Sequence, residues 1–181
     1  MDAMSEAGAR ALASQLLAEE LSRRWRHVQA VAAESARLCS VVRLDPAVVV
    51  RAAWLHDIGY AAEVANTRFH PLDGARYLRA HGWDDEVCRL VAHHTAAATQ
   101  VPTRELGDQL RTEFAEVDGL ARDVLWTADA TTGPNGERFT LDERISEIAT
   151  RYGDEHPVTL AMIASRSALA AAIARVAAAS D

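Results

Sequence analysis

Lysine is absent from the sequence, and all 19 cationic side chains are arginine. That excludes any chemistry carried by a lysine Schiff base or a P-loop lysine. Aromatic residues are also scarce, at 6% of the 181 positions against 49% hydrophobic residues. Alanine does much of the apolar work, which favours closely packed helices. Cys39 and Cys88 lie far apart and in no metal-type spacing, so each reads as a small buried hydrophobe in a reducing compartment. Positive charge is in deficit: the net charge of −7 argues against a sequence-independent binder of nucleic-acid polymers, which needs a basic face. No uncharged apolar run reaches about 18 residues, the length of a membrane span. The Ala-rich tail comes closest and is interrupted by Arg166 and Arg175. No basic segment followed by an apolar one opens the chain. The expectation is a cytoplasmic protein with no membrane association.

What the chain does contain is a succession of capped helical patterns. About residues 5 to 20 predict an amphipathic helix, and Ser22 is placed to cap a second helix running to about Val41. That second helix aims His27, Val31, Ser35 and Leu38 inward. Asp45 and Pro46 open a third helix, and Gly59 is placed to stop it. Val49, Ala52, Ala53 and His56 follow its buried stripe. A looser segment spans Tyr60 to Phe69. His70-Pro71 opens a helix that Gly82 ends, and Asp84 caps one reaching His93-His94-Thr95. Further helices cover about 104–114, 118–130, 141–151 and 157–179. No convincing strand is present, and Val48-Val49-Val50 lies inside a capped helical pattern. The class is all-α, a single domain over 1–181. Its core is about 22–150, with an N-terminal helix and a C-terminal Ala-rich helix packed on it.

The tetrapeptide His56-Asp57-Ile58-Gly59 carries the chemistry. An imidazole and a carboxylate, adjacent and half-buried at a helix end, need a partner, and a metal ion accepts both. Helix-borne ligands near one level of a bundle can converge on metals in its core. One site assembles from His27, His56, Asp57 and Asp129, the last on the stripe Ala121, Leu125, Asp129. A neighbouring site takes His70 and His94, with His93 as a further candidate. Asp57, with two carboxylate oxygens, can bridge the pair. His94 continues the stripe Val87, Leu90, Val91, whereas His93 lies about 100° around the helix. His81 reads as structural, and His156 as a helix cap. One or two divalent ions such as manganese or iron suit the mixed N/O set.

His27, His56-Asp57 and Asp129, in that order, resemble the H…HD…D pattern of the HD-domain metal-dependent phosphohydrolases. The insertion of His70 and His93-His94 resembles the subset with two metals. No Gly-Tyr-Pro motif follows His-Asp-Ile-Gly, which disfavours a cyclic dinucleotide substrate. The resemblance covers about residues 22–150 and implies an all-α bundle that hydrolyses a small phosphoester or nucleotide through a metal-bound hydroxide. It implies Asp57 as the central catalytic residue. Arg76, Arg79 and Arg104, near His70 or beyond His94, are candidates for substrate phosphate. Two other readings remain open on the same residues: a diiron oxygenase on the same scaffold, and a non-catalytic metal-stabilised binding module.

Overall fold

The structure is a computed structural model that describes residues 4–180. The described residues form nine α-helices, no strand, and one isolated antiparallel bridge between Thr132 and Arg138. The helices are α1 (Glu6–Leu17), α2 (Ser22–Val41), α3 (Pro46–Leu55), α4 (His70–Ala80), α5 (Asp85–Ala92), α6 (Arg104–Glu113), α7 (Leu120–Ala130), α8 (Leu141–Tyr152) and α9 (Pro157–Ala178). Short 3₁₀ turns follow α3 at Ile58–Tyr60 and α5 at His94–Thr99.

Local chemistry explains most of the boundaries. Ser5 accepts from the Gly8 amide to open α1, and Asp45 accepts from Ala47 to open α3, with Pro46 supplying a preset φ. Thr140 and Glu143 form a reciprocal capping box at α8. His156 caps α9 by accepting from the Val158 amide at 3.2 Å. Ser22 does not cap α2: it is the first helical residue, and Leu21 before it has no side-chain acceptor. Helix α1 stops at Leu17 rather than 20.

Helix α3 runs through the middle of the bundle, packed by α2, α1, α5 and α7. Its composition makes this possible, because Val49, Val50, Ala52, Ala53, Trp54 and Leu55 are all buried. Val28, Val31, Leu72, Leu78, Leu90, Val124 and Leu125 complete the surrounding core. A smaller cluster of Trp126, Ile148, Met162, Leu169 and Ala172 seats α8 and α9 on α7. The loop between the 3₁₀ turn and α4 is tied down by buried Asp73, which accepts from the amides of Asn66 and Thr67 and from the Thr67 hydroxyl.

Helix α9 is long and apolar enough by composition to cross a membrane, and only 28% of its most apolar window is buried. Its two arginines are both paired, Arg166 with Asp142 and Arg175 with Asp123. The second pair ties α9 to α7. Asp123 is 3% exposed and also receives Arg122. Burial works against its charge, but the hydrogen bonds from Arg175 and Arg122 outweigh burial and hold the carboxyl below its usual range.

A carboxyl held low stabilises the fold above the usual carboxylate pKa, and that stability is lost as pH falls through the lowered value. Asp123→Asn should cost about 1–3 kcal/mol near neutral pH, discounted because Arg175 is half exposed. Guanidinium unfolding from neutral pH to strongly acid pH checks this. The wild-type midpoint should fall on acidification more steeply than that of the variant, and equal slopes would contradict the account.

Candidate metal centre

Five helix ends deliver imidazoles and carboxylates to one buried level. His27 projects from the second turn of α2, His56 and Asp57 follow α3, His70 opens α4, His94 follows α5, and Asp129 lies in the last turn of α7. Each of three histidines has one ring nitrogen committed to a backbone carbonyl. Nδ1 of His27 meets Gly133 O at 3.1 Å, that of His56 meets Ala53 O at 2.7 Å, and that of His94 meets Val91 O at 2.6 Å. A carbonyl only accepts, so Nδ1 is the protonated nitrogen in all three. In the neutral ring, Nε2 then carries the lone pair, and all three Nε2 atoms point into the same space. This orientation is the one that metal-ligating histidines adopt.

Asp57 sits between two groups of these atoms and is 3% exposed. Its Oδ2 lies 3.4 Å from His56 Nε2 and 4.0 Å from His27 Nε2. Its Oδ1 lies 3.4 Å from His70 Nε2 and 4.0 Å from His94 Nε2. Asp129 Oδ1 closes the first group, 2.9 Å from His27 Nε2 and 3.7 Å from His56 Nε2. The groups His27/His56/Asp129 and Asp57/His70/His94 each bring their ligand atoms within 4.8 Å of one another. Asp57, expected in the first group and as a bridge to the second, turns Oδ2 toward the first and Oδ1 toward the second.

The electrostatics divide along the same line. Burial disfavours a charged His56, yet the Asp57 and Asp129 carboxylates override it and raise the imidazole to about 9. Burial and neighbouring His94 push His70 well below its usual value, and burial and His56 push His94 down. Burial also opposes the Asp57 charge, but Arg24, bonded to Oδ2, and His56 hold it ionised. Asp129 is held low by His56 and His27 against the same opposition.

The residues fit divalent metal. His56 Nε2 is fully buried and has no hydrogen-bond partner. The Nε2 atoms of His70 and His94 lie 3.0 Å apart, close enough to share a proton or a cation. His27, His56, Asp129 and one oxygen of Asp57 would hold one ion; His70, His94 and the other oxygen would hold a second. An HD domain family model matches residues 24–152.

The chain belongs to the HD domain family. HD domains are all-α, bind divalent metals and are generally metal-dependent phosphohydrolases. No solved structure matches the chain.

Two expectations are corrected in this HD domain. His93 does not face the cluster. Its Nε2 bonds Phe114 O at 2.8 Å and its own carbonyl accepts from Trp126 Nε1 at 2.8 Å, so it holds the α6–α7 connection instead. His93 lies about 100° around the axis from His94, on the α6 side, and left-handed backbone follows only at Thr95 and Ala96, at φ 48° and 56°. The arginine assignment also moves. Arg76 pairs with Glu113, Arg79 covers the Phe114 ring, and Arg104 is 95% exposed beside Asp108. Arg24, Arg144 and Arg151 line the histidine cavity instead, a space of about 190 Å³.

Sequence reasoning also missed Tyr60 and Thr95. Tyr60 stacks on His70 at 3.9 Å and carries Arg24 on its other side at 3.6 Å. Thr95 donates its hydroxyl to Asp129 Oδ2. Arg24 had a signal, because it precedes His27 by three residues on one helix face. Gly59 was placed as a left-handed stop. Its φ is not positive, and glycine is needed there because a Cβ would sit 2.0 Å from His70 O.

His94→Ala should lower the metal content of the purified protein, read by elemental analysis. His93→Ala should keep the metal and lose about 1–3 kcal/mol of stability, because Phe114 O loses its donor. Equal metal loss in both would contradict the geometry. Gly59→Ala should destabilise by about 1–3 kcal/mol or more through overpacking against the α4 backbone. A melting temperature equal to wild type would refute that contact.

Proposed function

We propose that this HD domain hydrolyses a small phosphoester, a nucleotide being the favoured class, with Asp57 at the centre of a two-ion site. The observation that carries the reading is the buried Asp57 carboxylate with one oxygen toward each ligand group. When bound, divalent ions there supply Lewis-acid charge for phosphate oxygens and lower the pKa of water toward neutrality. The protein's own residues do the rest. The three carbonyl-anchored histidines keep their Nε2 atoms aimed inward without a reorganisation cost. Asp57 keeps its charge at neutral pH through Arg24, which is bonded to its Oδ2. Thr95 fixes the rotamer of Asp129. Arg24, Arg144 and Arg151 at the cavity wall suit an anion.

The cavity chemistry favours this reading over oxygenation of an uncharged substrate, which would draw nothing from the guanidiniums at the cavity wall. A chain of net charge −7 repels a polyanion at long range, so a small substrate is favoured over a nucleic-acid polymer. Action in the cytoplasm, away from a membrane, belongs to the same proposal. No serine or cysteine stands beside a base in the cluster: Cys39 and Cys88 are buried with their thiols pushed up to about 11. With no serine or cysteine so placed among the described residues, this reading assigns the attack to solvent.

Asp57→Ala should abolish phosphate release from a nucleotide library, by about a thousandfold or more, while far-ultraviolet circular dichroism stays helical. A single turnover in oxygen-18 water should place the label in the phosphate product. Turnover that consumes dioxygen and releases no phosphate would overturn the proposal.

A further inference from the structure

A second cavity of about 330 Å³ adjoins the histidine cavity. The two share Arg24, His27, Arg144, Arg151 and Tyr152 as walls, so the outer cavity borders the inner one. The outer cavity lies between the start of α2 and the Ile148 side of α8. Its charged lining is Arg23, Arg24, Arg144 and Arg151 against a single acid, Glu20. This is an unusual concentration of positive charge for a chain of net charge −7.

Helix α8 places the two inner arginines deliberately. Arg144 and Arg151 are seven residues apart and share a face with buried Ile148. Both are mostly covered, at 11% and 23% exposure. Glu147, one turn from each, bonds Arg144 and lies 3.3 Å from Arg151 Nε. One carboxylate shared by two guanidiniums leaves one positive charge over. Arg151 Nη2 donates to Glu147 Oε2 at 3.5 Å, while its Nε is buried and has no hydrogen-bond partner. The guanidinium packs over the Tyr152 ring at 4.6 Å, which holds its plane. Two guanidiniums held in place by one carboxylate, with positive charge left over, suit a phosphate or carboxylate oxygen.

We infer that Arg144 and Arg151 form an anion subsite beside the metal centre, so that the substrate carries a second anionic group next to the phosphate that is cleaved. The inference rests on the phosphohydrolase reading and narrows it to phosphorylated molecules with two anionic centres, such as a polyphosphate ester, over simple monophosphates. Glu147 acts as a positioning residue that aligns both guanidiniums and moderates their charge.

Calorimetric titration of the purified full chain tests this, using inorganic tripolyphosphate and orthophosphate in manganese-containing buffer, with bound metal measured afterwards. Arg151→Gln should weaken tripolyphosphate binding about tenfold or more and leave orthophosphate within about twofold. Glu147→Gln should tighten tripolyphosphate by about threefold, because it removes the opposing charge. A purely structural role for the Arg144–Glu147–Arg151 cluster predicts the reverse sign for Glu147→Gln. Equal weakening of both anions by Arg151→Gln, or weaker tripolyphosphate binding in Glu147→Gln, overturns the subsite. A wild-type protein that discriminates between the anions as expected but hydrolyses no phosphoester supports the subsite and overturns the phosphohydrolase reading. Hydrolysis of mono- and polyphosphate esters with equal efficiency by wild type and Arg151→Gln overturns the subsite alone.

Discussion

A carboxylate 3% exposed in the middle of a helical bundle is the constraint around which the molecule is arranged. Taking an ionised carboxylate out of water is costly unless opposite charge and hydrogen bonds surround it. Asp57 meets that demand with one guanidinium and four imidazoles drawn from four separate helix ends. Each of those helix ends has to stop at the right level. The small residues of α3 let the surrounding helices close in far enough for the side chains to meet.

Where the regular helix would carry a side chain past the site, the backbone breaks. The sharpest case is the pair Thr95 and Ala96, both in left-handed conformation. For residues with a Cβ, that costs on the order of 1–2 kcal/mol each. The break delivers three contacts: His94 toward Asp57, the Thr95 hydroxyl on Asp129, and the Thr95 carbonyl accepting from Gln100. Gln100 in turn reaches Ser165 on α9 at 3.3 Å, so the last helix supports the site wall although it supplies no ligand.

Much of this was legible in the residues. The caps at Asp45 and His156, the periodicity of α2 and α7, and the inward aim of His94 all follow from local rules. The ordered set His27, His56, Asp57, His70, His94 and Asp129 meets at one place, as the stripes implied. What was not legible was set by contacts between distant segments. The role of His93 depends on where the α6–α7 connection brings Phe114 O, and no periodicity carries that information. The arginines near His70 in sequence point to α6, while those that line the recess come from α8, more than seventy residues away in the chain. Proximity in sequence was a poor guide to a wall built by tertiary packing. Gly59 shows the same limit, since its smallness serves a neighbour's backbone and not its own torsion angles.

The contact between Gly59 and His70 has a mechanical consequence. The Gly59 backbone lies against the carbonyl of a residue in the second ligand group, only three positions after His56 in the first. The two groups therefore cannot rearrange independently. A shift of the 3₁₀ turn moves the start of α4 with it, so the spacing between the two groups is set by a main-chain contact and not by side-chain rotamers alone.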